Sequence, residues 1–225
     1  MGELVSFKAN GASAEGYLAL PPEGTGPGLV VLQEYWGLVD HIKSLCDRFA
    51  AAGFVALAPD LYHGEVARSP DAAGKLLMAL NIAEAGKELR GAGSFLHAHP
   101  AVEPKAIGVL GFCMGGQLAL FAAQEYGDQF AAAVDFYGIH PKVEIDPARI
   151  KVPVLAHFGA RDQGVPAAAG AQLAARIRRA GGQCEEYVYD AGHAFFNDGR
   201  PEVYDAACAA LAWTRTVEFL RRTLR

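Results

Sequence analysis

The stretch AIGVLGFCMGGQLALFAAQE, residues 106–125, decides the fold. Its first five residues, Ala106 to Leu110, are an apolar run rich in β-branched side chains, which reads as a buried strand. Its last nine, Gln117 to Glu125, have the composition of a helix. Between them stands GFCMGG, residues 111–116, with glycines on both sides of Cys113. A strand passing into a helix through so short a glycine-flanked segment must turn sharply. The central side chain of such a turn is thrown up above the edge of the sheet.

Working outward, the same alternation recurs along the chain. Leu4 to Lys8 and Gly16 to Leu20 read as strands, the second closed by Pro21-Pro22. Gly28 to Leu32 is another, followed by a helical pattern through Ile42, Leu45 and Phe49 that Gly53 ends. Phe54 to Ala58 is the next strand, stopped by Pro59. The alanine-rich segment from Pro70 to Ala98 reads as two helices. Ala131 to Phe136, Val152 to Phe158 and Glu185 to Tyr189 read as three more strands, with helices filling the gaps and a last helix from about Glu202 to the C-terminus. Strands alternating with helices imply an α/β fold with a mostly parallel central sheet and helices on both faces. The chain has 225 residues, a length expected for one such domain over residues 1–225.

Composition narrows the function. The formal charge of −5 speaks against nucleic acid, whose phosphates call for clustered Lys and Arg. No apolar run approaches the roughly 20 residues that span a bilayer, and Met1-Gly2-Glu3-Leu4 leads into an alternating segment instead of a charged-then-apolar leader. Cys46, Cys113, Cys184 and Cys208 show no CxxC pairing, as expected of reduced thiols in a cytoplasmic protein. His97-x-His99 lacks a third ligand at useful spacing, so no metal is expected. No GxxxxGK[ST] cradle is present, and no cofactor is expected. His157, inside a strand, reads as a core histidine.

Cys113 alone could be a packed thiol. Two further residues change that reading. Asp162 follows the strand ending at Phe158, in GARDQGVP, and His193 follows the strand ending at Tyr189, in AGHAFF. Nucleophile, acid and histidine thus come in one order along the chain, each just past the C-terminal end of a strand. In a parallel sheet those ends share one edge, where ligand crevices form. A Cys-His-Asp triad is the expectation, with His193 moving the proton, Asp162 orienting the imidazole and Cys113 forming a thioester.

At this point the chain resembles the dienelactone hydrolase family, a branch of the α/β-hydrolases. The resemblance rests on VLQEYWG (31–37), PDLY (59–62), GFCMGG (111–116), YG (137–138), GARDQGVP (159–166) and AGHAFF (191–196). Cysteine at the turn is itself a mark of that family. The resemblance implies the α/β-hydrolase fold and a small-molecule ester or lactone as substrate. It also implies a role for Glu34, whose carboxylate would contact the resting thiol and take its proton when substrate binds. The oxyanion donors would be the backbone N–H groups of Tyr35 and Met114.

Two features depart from the family pattern. Its arginine four residues after the histidine is replaced by Asn197. In the short helical segment after PDLY only Arg68 and Lys75 are cationic candidates for holding a substrate carboxylate. Trp36, Tyr62, Tyr137 and Phe195, with Tyr35 and Phe196, suggest an apolar acyl site, core packing being the alternative for each. The same triad would serve a thioesterase or an acyltransferase. A non-catalytic binding module of the same fold is the reading from another class.

Overall fold

The computed structural model describes residues 1–9 and 11–225. In chain order the strands are β1 (Glu3–Ala9), β2 (Ala12–Ala19), β3 (Gly26–Leu32), β4 (Val55–Pro59), β5 (Val102–Phe112), β6 (Ala132–Phe136), β7 (Val154–Gly159) and β8 (Cys184–Tyr189). The helices are α1 (Asp40–Ala51), α2 (Pro70–Ala79), α3 (Ile82–Ala98), α4 (Met114–Glu125), α5 (Ala167–Arg179) and α6 (Ala206–Thr223). The strands form one sheet in the order β1-β2-β4-β3-β5-β6-β7-β8. β3 to β8 run parallel, while β2 is antiparallel to both β1 and β4.

Alternation along the central strands explains the layers. Val30 and Leu32 of β3 join the core formed with α3, α4 and α5, through Leu89, Leu118 and Ile177. Leu29 and Val31 join the opposite core, formed with α1 and α6 through Ile42, Phe49 and Leu220. Successive strand side chains point to opposite faces. A strand covered on both faces is therefore apolar throughout, as β3 is.

Local chemistry sets the boundaries. Ser69 caps α2, its hydroxyl accepting from the Ala72 N–H at 3.2 Å, with Pro70 opening the helix. Asn81 caps α3 in the same way, accepting from Ala83 and Glu84, so the segment after Pro70 is two helices, as expected.

Two of the differences from the sequence reading have a plain local cause. Between β6 and β7 the described residues hold no α-helix, only a 3₁₀ turn over Pro147–Arg149. Pro141, Pro147 and Pro153 punctuate that stretch, and each lacks a donor for helical bonding. The last helix starts at Ala206, not near Glu202, because the Asp205 carboxylate accepts from the Cys208 N–H at 3.0 Å and fixes the start there. No helix among the described residues is long and apolar enough to cross a membrane.

Candidate active site

Cys113 stands between the last residue of β5 and the first of α4, at φ 53° and ψ −116°. A non-glycine side chain rarely adopts this backbone, and it persists only where the surroundings hold it. The holding bonds are identifiable. The Cys113 N–H donates to the Phe136 carbonyl at 2.9 Å, and the Cys113 carbonyl accepts from Gly116 at 3.0 Å and Ile139 at 3.1 Å. The flanking glycines are sterically required. A Cβ on Gly111 would lie 2.1 Å from the Gly115 carbonyl oxygen, and one on Gly115 2.6 Å from those of Leu32 and Gln33. Tyr137 at φ 43° and Ala194 at φ 59° are strained likewise. All three lie next to or within the candidate site.

Asp162 is fixed by the turn it starts. Its Oδ1 accepts from the N–H groups of Gly164 at 2.8 Å and Val165 at 2.9 Å, leaving Oδ2 to meet His193 Nδ1 at 2.6 Å. Burial pushes the Asp162 pKa up. The hydrogen bonds from His193 and Val165, with the charge of the imidazole, outweigh that and hold it below the usual carboxylate value. For His193 burial pulls downward. The bond to Asp162, then the interaction with the Cys113 thiol, reverse this and raise its pKa to about 10. With Nδ1 engaged, Nε2 is the ring atom left for the sulfur. The imidazole lies against the Tyr137 ring at 5.0 Å between centroids, which fixes its lower face.

Cys113, His193 and Glu34 line one cavity of about 240 Å³ together with Tyr35, Trp36, Leu77, Ile139, Ala194 and Arg200. Its wall is mostly apolar. Glu34 follows β3 and is 2 % exposed. Its Oε2 accepts from Asn197 Nδ2 at 2.7 Å, and its Oε1 has no partner among the described residues. Burial raises the Glu34 pKa, against the bond from Asn197 and the nearby positive charges of His193 and Arg200. No hydrogen bond joins Glu34 to Cys113 among the described residues; Asn197 engages Oε2 and leaves Oε1 free. The Met114 N–H opens α4 and, as in any first turn, has no intrahelical acceptor.

Other expected site residues fall elsewhere. Tyr137 and Phe195 are fully buried and pack on one another at 5.5 Å, beneath the cavity and not around it. Tyr62 is buried with its hydroxyl donating to Met114 Sδ at 3.2 Å, so it supports the turn from below. Each is an aromatic that packing accounts for. Lys75 points away on the exposed side of α2, paired with Asp71 at 2.8 Å. Arg68 lines a neighbouring cavity of about 460 Å³ that contains no candidate nucleophile but shares Trp36 and Arg200 with the first.

Arg200 is the cation that sequence reasoning missed. It lies seven residues after His193, and the chain comes back because Asn197 builds a turn. The Asn197 Oδ1 accepts from Gly199 at 3.0 Å and its carbonyl from the Arg200 N–H at 3.1 Å. The Arg200 guanidinium sits 5.2 Å from the Trp36 ring centre and pairs with Glu202 at 2.8 Å. The Asn-Asp-Gly sequence at 197–199 was the available signal, since it marks a turn. Among the described residues no group of three or more His, Cys, Asp or Glu side chains is placed to hold a metal.

A sharp strand-to-helix turn bearing Cys113, with an acid and a histidine after later parallel strands, defines the class: an α/β-hydrolase fold with a cysteine at the nucleophile position. The comparisons make this specific. The sequence profile described as "Dienelactone hydrolase family" matches residues 14–224. The "Protein usf" of Aquifex pyrophilus is 38% identical over 231 residues, covering 100% of both chains. A relative from Aquifex aeolicus (strain VF5), provisionally named carboxymethylenebutenolidase, is 34% identical over 232 residues, again covering 100% of both. The crystal structure of a protein from Klebsiella pneumoniae subsp. pneumoniae MGH 78578, provisionally named dienelactone hydrolase, superposes with a TM-score of 0.86 at 27% identity, covering 97% of each chain. The chain belongs to the dienelactone hydrolase family, whose members are hydrolases of ester and lactone bonds.

Proposed function

We propose that the protein hydrolyses small carboxylic esters or lactones through a thioester on Cys113. The observation that carries this reading is the 2.6 Å pair of Asp162 and His193 opening onto the cavity that also holds Cys113. In this reading the Cys113 proton already rests on His193 Nε2, as the raised pKa of that ring favours, and the thiolate Sγ attacks the substrate carbonyl carbon. The negative charge gathering on the carbonyl oxygen meets the N–H groups of Tyr35 and Met114. Collapse expels the alcohol oxygen, which takes the proton from His193, and leaves the acyl group on sulfur. Water then gives its proton to His193 and attacks the thioester, and the thiol is restored as the acid leaves. Glu34, which lines the same cavity and has Oε1 unpaired, is the second acceptor available for the thiol proton.

The reading is tested by trapping the intermediate. After rapid mixing with a p-nitrophenyl ester and an acid quench, the acyl mass is expected on the peptide containing Cys113 and on no other cysteine. Turnover with no label at Cys113 overturns the mechanism.

The cavity suits a small acyl group packed on Leu77, Ile139 and Ala194, and Arg200 at its rim suits an acidic substituent. Arg200→Gln is expected to lower kcat/KM about tenfold for carboxylate-bearing esters, a loss typical of one charge-assisted hydrogen bond. It should leave neutral esters within about twofold of the parent, and paired assays on matched substrates check this. The four unpaired cysteines suit a reducing, cytoplasmic setting.

A further inference from the structure

One buried acid takes no part in the proposed chemistry. Asp135, in β6, is 1 % exposed, and neither carboxyl oxygen has a formed hydrogen bond among the described residues. The Gly138 N–H is near enough to favour the charged form without forming a good bond. A buried carboxyl without partners is costly, so its retention calls for a reason.

Its position supplies one. Asp135 pairs in register with Gly111 of β5, and its side chain lies beneath the first turn of α4. A Cβ placed on Gly116 would come 2.3 Å from Asp135 Oδ1, and a Cβ on Gly138 also 2.3 Å. The carboxyl is therefore wedged between the two glycines. One belongs to the turn that carries Cys113. The other belongs to the 136–139 segment, which accepts the Cys113 N–H through the Phe136 carbonyl and donates to the Cys113 carbonyl from Ile139. That segment also carries Tyr137, the floor under His193.

We propose that Asp135 is a positioning residue: its carboxyl, clamped between Gly116 and Gly138, sets the spacing between the Cys113 turn and the segment beneath His193. The proposal rests on the reading of Cys113 as the nucleophile. It accounts for a glycine at both positions, since any side chain at either would displace the acid. The surroundings are consistent. From α4 and from residues 136–138 backbone and glycines face the carboxyl, and from β8 the Cys184 thiol feels its charge. Burial raises the Asp135 pKa to about 7, so the acid ionises within the working range of an enzyme.

Asp135→Ser opens the wedge, whereas Asp135→Asn keeps the size of the side chain and removes only the ionisation. The kcat of Asp135→Ser for a neutral aryl ester is expected to fall at least fivefold with KM within about twofold, the signature of a misplaced catalytic group. The rate at which iodoacetamide alkylates Cys113 should change at least threefold, with Cys46 and Cys208 unaffected. A second readout is stability. The folded state holds the Asp135 proton more tightly than the unfolded chain does, so its presence costs stability progressively from about pH 4 to about pH 7. The melting temperature of Asp135→Asn relative to the parent should therefore rise across that interval.

Unchanged kcat in Asp135→Ser from pH 5 to 9, with unchanged Cys113 alkylation, overturns the proposal; a purely structural acid would move the melting temperature alone. Should Asp135→Ser fail to fold, Asp135→Ala, which also opens the wedge, is expected to show the same kcat loss, and parent-like kcat there is equally fatal. Alkylation reads the turn without turnover. If the parent cleaves no ester, the function reading fails while this one is still tested.

Discussion

Cys113→Ala is expected to lower kcat for ester cleavage on the order of 10⁴-fold, with the fold intact. The size follows from the role: without sulfur there is no acyl acceptor, and only the oxyanion donors and binding remain. The fold should survive because alanine keeps the Cβ, so the strain at φ 53° is unaltered and the backbone bonds to Phe136 and Ile139 stay. Steady-state kinetics beside a circular-dichroism melt checks both halves. A variant retaining more than a tenth of the parent rate would show that the acyl group never resides on this sulfur.

Asp162→Asn is the second large effect, a loss on the order of 10³- to 10⁴-fold in kcat with near-parental KM. Oδ2 accepts from His193 Nδ1 at 2.6 Å while Oδ1 is occupied by two backbone N–H groups. An asparagine that keeps its oxygen on those N–H groups must turn its NH₂ toward the imidazole. The ring then carries its proton on the nitrogen that should receive one from the thiol.

The same substitution has a signature in stability. The His193 pKa is raised from 6.5 to about 10, so the stabilisation it contributes is full below about pH 6.5 and lost as pH rises through about 10. Asp162 has a lowered pKa, so its contribution is present above the ordinary carboxylate range and lost as pH falls. Melting temperatures from pH 4 to 10 should show a parent that loses stability at the alkaline end and a variant with a flatter curve there. Parallel curves would mean that the pair is not coupled in solution.

Much of this was legible in residues 106–125. An apolar run, a glycine-flanked turn and a helical run leave few conformations open. Repeating that alternation predicts a parallel sheet with its helices on both sides. The order Cys113, Asp162, His193 was equally plain, because each sits just beyond a run that only a strand explains. Less was legible among the aromatics. Tyr62, Tyr137 and Phe195 carry the same composition signal as Trp36, yet three pack beneath the site and one lines it. Sequence spacing has no way to separate a floor from a wall. The choice of cation also escaped, since Lys75 and Arg200 differ in which way their backbones turn them.

What the sequence by itself determined was the order of elements and the chemistry available at one edge of the sheet, since periodicity and glycine placement are local properties of the chain. Only the tertiary structure decided which side chains meet there. Glu34 joins Asn197 across 163 residues, and Arg200 enters because a turn at Asn197 brings it back. Asp135 looks like an ordinary strand residue until Gly116 and Gly138 close on it. Such contacts depend on how distant backbones approach, and close packing fixes them only once every layer is in place.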